Sequence, residues 1–398
     1  MTLRTMKPGL CALGLTLAMT LTALPTCAAS STGVRPASSG SKARAHAASK
    51  APAKPAKPAR KPSRKAAAAG TLLAGRADVQ VFADALAAQH ALPRDWIEQQ
   101  LHDARSLPRV QQLVMPPPAG TAKNWAAYRD RFVEPRRIDA GVAFWRAHRH
   151  WLELAEQRWG VPAEIVVGIV GVETLYGRHT GAFRALDALA TLAFDFPEGR
   201  RDRSAFFRDE LGQLLLLAHR EGLDAGSLKA SYAGAIGLPQ FMPGSINRWA
   251  VDFDDDGHVD LARSAADAIG SVAHYLAAFG WVQGMATHFD VAAPVDSSDR
   301  AALLAPDIVP SFTPAQFAER GAVLPPPAQA HDGLLALVEL QNGAAAPSFV
   351  AGTRNFYVVT RYNWSSYYAM AVIELGAAVR RALEPPRVRP PSAPGSPG

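Results

Sequence analysis

Three short stretches of the 398-residue chain place reactive side chains where their surroundings would change what they can do. Residues 165–172 read IVVGIVGV, with no polar side chain on any helical face, and Glu173 follows one turn beyond Ile169 and Val170. A helix that is apolar all round is buried. The spacing therefore predicts a partly desolvated carboxylate with a raised pKa, as a carboxylic acid needs if it is to donate a proton near neutral pH. The residues alone leave a second reading open, in which Glu173 ends the buried stretch and pairs with Arg178 or Arg184. Residues 231–245, SYAGAIGLPQFMPGS, are poor helix-forming material and read as an ordered turn presenting Ser231 and Gln240 to a cleft. A purely structural turn is the alternative. Asp252, Asp254, Asp256 and Gly257 match positions 1, 3, 5 and 6 of an EF-hand loop, with His258 at the backbone-carbonyl position 7. Position 12 is Arg263 rather than Glu, so the missing carboxylate has to come from Asp260 or Asp267. Hard oxygen donors favour a structural calcium ion, with sodium as a substitute. The bland alternative is a solvated acidic turn.

These groups need elements to hold them. Residues 77–89 and 94–104 read as short amphipathic helices, followed by a Pro cluster at 116–118. Residues 138–159 carry aromatics at helical spacing, and Gly160 and Pro162 separate them from the apolar helix at 163–176. Helices are expected at 181–194, 204–220 and 264–279, and a last one from about 365 to 383 with Ser365 or Ser366 as its cap. Residues 334–341 and 355–362 are rich in β-formers. The expected fold class is mainly α (α+β), with a small β subdomain inserted late, at about 285–363, in a body spanning 71–384.

The ends of the chain read differently from the body. Arg4 and Lys7 precede an apolar stretch at 9–24 and small residues around Cys27, the pattern of a secretory signal peptide over 1–29. Lipoprotein processing at Cys27 is the rival, although Leu24-Pro25-Thr26 fits a lipobox poorly. Residues 30–70 form a basic Pro/Ala/Lys linker, and 385–398 a Pro-rich tail, both disordered by composition. Twelve of the 42 Lys and Arg residues lie in the first 70 positions, where there is no acid. The remaining 30 face 35 acidic residues, so the body carries a net charge of −5 despite the +7 of the whole chain. That balance argues against a nucleic-acid partner. Cys11 and Cys27 are the only cysteines, which excludes a disulfide framework and a cysteine-ligated zinc site in the body.

Six blocks occur in order: GVETLYG at 171–177, DALATLAFDFP at 187–197, SYAGAIGLPQFMPGS at 231–245, AVDFDDDGHVDL at 250–261, DAIGSVAHYL at 267–276 and RYNWSSYYAMAV at 361–372. Together they resemble the B-type membrane-bound lytic murein transglycosylases, over roughly residues 120–384. The resemblance implies a lysozyme-like catalytic core with an extra helical subdomain, located in the periplasm. It also implies cleavage of the β-1,4 bond between N-acetylmuramic acid and N-acetylglucosamine in peptidoglycan glycan strands, leaving a 1,6-anhydro end. In that reading Glu173 is the single catalytic acid/base and no cofactor takes part. Ser231 and Gln240 lie near the acid, Tyr275 is a cleft tyrosine, Tyr362 and Asn363 bind sugar at the reaction centre, and Tyr128 is a further substrate contact. The family closes its metal site with a later aspartate, which favours Asp267 beside Asp252, Asp254, Asp256 and His258. The chain departs from the family at Leu238-Pro239, before Gln240, and at EGRRDRSA, 198–205, where none of Arg200, Arg201 and Arg203 can be singled out. A monomer is expected. Two alternatives stand beside this reading: a hydrolytic muramidase, for which Asp187 or Asp195 would have to be the second acid, and a non-catalytic peptidoglycan-binding or scaffold protein.

Overall fold

The computed structural model of the chain describes residues 70–116 and 123–384. The expected signal peptide, the basic linker up to residue 69 and the tail from 385 lie outside the described residues. Within them there are sixteen α-helices and seven short strands, so the mainly helical class holds. No helix is long and apolar enough to cross a membrane.

The helix expected over 138–159 divides at His148 into α1 (Pro135–Ala147) and α2 (Arg149–Trp159). His148 leaves helical geometry at φ −118 and ψ 24, and its ring packs on Phe144 at 4.6 Å. Next comes α3 (Ala163–Thr174), in which every residue but Glu164 is buried. Its Ile and Val run is weak helix-forming material, so packing rather than propensity holds it. Each fully buried aliphatic side chain contributes about 1.5–3 kcal/mol. Several in one helix outweigh the cost of the single carboxyl at its end.

The expected helix at 181–194 starts late. Phe183 and Arg184 pair antiparallel with Ala230 and Lys229, and only then does α4 (Ala185–Phe194) begin. That pairing ties the start of the 231–245 turn to the core. The scaffold continues through α5 (Ser204–Arg220), α6 (Pro243–Trp249) and α7 (Ala265–Ala278).

The late β part forms one three-stranded antiparallel sheet. Strand β1 (His288–Asp290) pairs with β3 (Ala345–Gly352), which pairs with β2 (Ala336–Asn342). Strands β2 and β3 meet in a tight hairpin whose two loop residues are Gly343 and Ala344, with Gly343 at a left-handed φ of 66. Side-chain alternation divides the sheet between two cores. Ala336, Val338 and Leu340 face the main core, whereas Leu335 and Leu337 join Leu303, Phe317 and Leu324 in a second, smaller one.

The expected strand at 355–362 is a helix instead, α8 (Arg354–Thr360). Thr353 caps it by accepting the Asn355 N–H, and Phe356, Val358, Val359 and Thr360 are buried. Capping and burial override the β preference of this segment. Last is α9 (Ser366–Leu383), capped by Ser365, as expected. It crosses α3 with almost no gap. A Cβ on Gly168 would lie 2.2 Å from the Val372 carbonyl oxygen, and one on Gly376 would lie 2.1 Å from that of Glu164. Only glycine permits so close an approach.

Candidate active site

The close α3–α9 crossing brings the last turn of α3 against the first turn of α9. There the Tyr368 hydroxyl donates to Glu173 Oε1 at 2.7 Å. Glu173 is only 7% exposed and Tyr368 2%. Burial pushes the Glu173 carboxyl up to about 7, and the Tyr368 hydrogen bond opposes part of that rise. Among the described residues no basic side chain pairs with Glu173. Arg184 is engaged instead with Asp103 at 2.7 Å and Asp187 at 3.7 Å, so the ion-pair reading for Glu173 loses that candidate partner. A carboxyl in this setting keeps a substantial protonated fraction near neutral pH and is held in one orientation.

The expected tyrosines gather around it. Tyr362 stacks on Tyr368, with ring centroids 6.1 Å apart and planes at 13°. Tyr362 also packs on Tyr275 at 5.2 Å and Phe241 at 5.8 Å. Tyr128 sits among Trp125, Phe132 and Tyr367. Its hydroxyl is pushed up to about 12 by burial and by the negative field of Glu173. The same field acts on Tyr362 and Tyr368. Tyr275 does not bond to the acid. Its hydroxyl donates to the Arg361 carbonyl at 2.9 Å, which fixes the segment carrying Tyr362 and Asn363. The Tyr362 hydroxyl donates to the Pro239 carbonyl at 2.5 Å, joining that segment to the 231–245 turn. Oδ1 of Asn363 is buried with no partner among the described residues.

The turn is held from several sides. Thr174 Oγ1 donates to the Leu238 carbonyl at 2.9 Å, directly after the catalytic candidate in sequence. Gln240 adopts a left-handed φ of 51. Its Nε2 donates to the carbonyls of Gly237 at 2.9 Å and Thr180 at 3.2 Å. Its Oε1 is buried with no partner among the described residues, an unused acceptor. Ser231 is buried, and its Oγ accepts the Ala235 N–H at 3.1 Å, so it shapes the turn rather than touching Glu173. From below, Glu210 on α5 accepts the Gly244 N–H at 2.7 Å, and burial raises its carboxyl to about 7.

Sequence reasoning missed Tyr368 and Glu210. The signal for Tyr368 was available: it lies in the first turn of α9, three residues after the capping Ser365 and six after Tyr362. Its pairing with Glu173 depends on the α3–α9 crossing, which no local pattern reveals. The two carboxylates considered as a second acid are committed elsewhere. Asp195 pairs with Arg76 at 2.7 Å, and Asp187 accepts the Arg105 N–H at 2.9 Å. Of the three arginines in 198–205, Arg200 donates to the Val114 carbonyl and Arg203 lies over the Phe206 ring at 4.6 Å.

The acidic loop lies on the far side of the same turn. Carboxylate oxygens of Asp252, Asp254 and Asp256 come within 4.8 Å of one another. Asp252 accepts the N–H groups of Asp256 and Gly257, which winds the loop around it. Three hard anionic donors this close suit a divalent cation such as calcium. His258 is exposed, with its ring 3.9 Å from Glu221. Asp267, expected to close the site, does not join the group. It is buried beneath the loop, its Oδ1 taking the Phe253 N–H at 2.8 Å and its Oδ2 the Asp260 N–H at 2.7 Å. A buried carboxylate is stabilised by such donors, and this one braces the loop. The Leu238 N–H donates to the Leu261 carbonyl at 2.8 Å, so loop, turn and α3 form one hydrogen-bonded series.

Comparison with known proteins gives a consistent picture. The family model described as a transglycosylase SLT domain matches residues 74–377. The chain is 39% identical over 317 residues to the membrane-bound lytic murein transglycosylase B of Escherichia coli (strain K12), covering 78% of this chain and 84% of that one. Its structure is similar to that of the soluble lytic transglycosylase SltB1 from Pseudomonas aeruginosa, with a TM-score of 0.70, 37% identity, and coverage of 77% and 99%. It is likewise similar to the Escherichia coli lytic transglycosylase Slt35 in complex with calcium, with a TM-score of 0.68, 37% identity, and coverage of 81% and 99%.

Proposed function

The chain belongs to the transglycosylase SLT domain family, and from that premise we propose how its own residues carry out the reaction. The protein is a lytic murein transglycosylase, an enzyme that cleaves peptidoglycan. Glu173 is the single acid/base. In its protonated form it gives its proton to the glycosidic oxygen as the bond from C1 of N-acetylmuramic acid breaks. The resulting carboxylate then takes the proton of the muramyl 6-hydroxyl, whose oxygen bonds to C1 and closes the 1,6-anhydro ring. The proton is back on Glu173, no water is consumed, and the paired carboxylates of ordinary glycosidases are unnecessary. Intramolecular attack also avoids the entropic cost of bringing in a second reactant.

The observation that carries this reading is the buried Glu173, raised to about 7, with Tyr368 as its hydrogen-bond partner. Tyr368 orients the carboxyl. Tyr128, Tyr275, Tyr362, Asn363, Ser231 and Gln240 line or shape the sugar cleft, and the Gln240 and Asn363 oxygens, without a partner among the described residues, are its acceptors. Asp252, Asp254 and Asp256, with the His258 carbonyl, would hold a structural calcium that stiffens the loop behind the turn. The calcium complex of a similar enzyme supports this. The signal-peptide pattern over 1–29 and the membrane-bound relative support a periplasmic location. The enzyme acts on glycan strands as a monomer.

The test is mass spectrometry of products from purified peptidoglycan. Anhydromuramyl ends, about 18 Da lighter than hydrated ones by one water, are the expected result. Reducing muramic acid ends would overturn the single-carboxylate mechanism.

A further inference from the structure

A cavity of about 410 Å³ lies apart from Glu173, between α8, the end of α7 and the β subdomain, with Phe279, Tyr357, Leu334, His331 and Arg354 among its walls. Its chemistry is mixed. Val309 and Leu334 expose apolar surface at its edge. Nε2 of His331 is buried and without a partner among the described residues. Arg354 spends one N–H on the Gly280 carbonyl at 2.8 Å and forms no ion pair among the described residues. Behind the wall, Arg361 lies over Phe279 at 5.3 Å, Tyr357 at 5.7 Å and the exposed Trp364 at 5.0 Å, again with no carboxylate partner. Two unneutralised guanidinium groups and an aliphatic-aromatic lining suit a ligand with a carboxylate on an apolar body.

The cavity shares a wall with the cleft. Phe279 packs on Tyr275 at 4.5 Å, and Tyr275 packs on Tyr362 at 5.2 Å, so the Phe279 ring lies within about 10 Å of the tyrosine stacked beside the catalytic pair. A four-residue peptide spans up to about 14 Å when extended. The similar enzyme SltB3 from Pseudomonas aeruginosa binds NAG-NAM-pentapeptide, a sugar bearing a short peptide with a terminal carboxylate. Resting on the glycan-cleaving reading above, we propose that this cavity receives the carboxylate-bearing stem peptide of the strand being cut. Arg354 is its charge partner, and Tyr357, Phe279 and Leu334 take its aliphatic part. The cleft then reads the sugar, and the cavity reads whether the sugar carries a peptide.

The experiment compares KM on two substrates: glycan strands bearing their peptides and the same strands stripped by an amidase. Arg354→Gln removes the charge. Leu334→Asp puts an opposing charge on the rim without touching the Arg354–Gly280 bond. Each variant is expected to raise KM on peptide-bearing strands about tenfold, as loss of one charge-assisted contact does. KM on stripped strands should stay within about twofold, and melting curves should show both variants folded. Equal rises on both substrates, or a rise on neither, would overturn the proposal while leaving the catalytic reading intact. Failure of the unsubstituted protein to cut either strand would instead overturn the catalytic reading, and this one with it.

Discussion

The end of α3 and the loop at 252–263 both offer carboxylates, yet they do opposite things. At the end of α3 a single carboxyl is sealed in an apolar helix with one hydroxyl partner and a pKa near 7. In the loop, Asp252, Asp254 and Asp256 crowd together at the surface, Asp252 and Asp256 accepting backbone N–H groups of their own segment and Asp254 the Ser264 hydroxyl. Isolation in low dielectric turns a carboxylate into a proton donor. Crowding at the surface groups hard oxygen donors whose mutual repulsion a cation would relieve. Environment, not residue type, assigns the role.

The largest effect that could break this contrast is that of Glu173→Gln. Activity on peptidoglycan should fall about 10³-fold, the scale of a lost general acid/base, while the protein stays folded. The stability change has a definite sign. The Glu173 pKa rises from 4.5 unfolded to about 7 folded, so the native state loses stability as pH climbs between those values. The Gln variant escapes that loss. It should be more stable at pH 8 by roughly 3 kcal/mol, with the gain gone below about pH 4.5, as urea melts at both pH values would show. A uniform gain would mean that the carboxyl is not titrating where the contrast requires.

Gly168→Ala tests the close crossing itself. The new methyl would meet the Val372 carbonyl at 2.2 Å, so α9 must shift. Stability should drop by about 1–3 kcal/mol, and kcat should drop with it as Tyr368 moves from Glu173. An unchanged kcat would show that the crossing does not set the catalytic geometry.

Tyr368→Phe sharpens the buried side. That hydrogen bond lowers the Glu173 pKa, so its removal should move the alkaline limb of the kcat/KM profile to higher pH. Activity near pH 6 should fall about tenfold, the worth of one hydrogen bond to a charged group. An unshifted limb would remove Tyr368 from the acid's control.

The exposed side should respond most weakly. Calcium at ten times its Kd should add about 1.4 kcal/mol to stability and leave kcat nearly unchanged at 25 °C. Asp254→Asn with Asp256→Asn should abolish the gain in a thermal melt. A calcium-dependent kcat would mean that the loop governs the turn more directly than a brace.

Much of the site was legible locally. The run of Ile and Val before Glu173 announced a buried carboxyl, the Gly and Pro content of 231–245 announced a turn, and the spacing of Asp252, Asp254 and Asp256 announced a charged loop. The misreading at 355–362 has a local cause. The Val-rich stretch at 355–362 looked like a strand because β propensity is a local average, and the Thr353 cap together with burial of Phe356, Val358 and Val359 reversed it. Asp267 has the right side chain near the right loop, and the fold places it beneath the trio rather than within it, each of its oxygens accepting one amide, from Phe253 and Asp260.

The sequence by itself determined which side chains are polar among apolar neighbours, where caps such as Ser365 can start a helix, and that the basic charge belongs to the first 70 residues. These are properties of neighbours in the chain. Only the tertiary structure decided that Tyr368 would meet Glu173 across 195 positions, that Glu210 would underpin the Gln240 turn, and that the tyrosines would ring one carboxyl. Those meetings depend on how closely two helices cross, and at Gly168 and Gly376 the absence of a Cβ sets that distance.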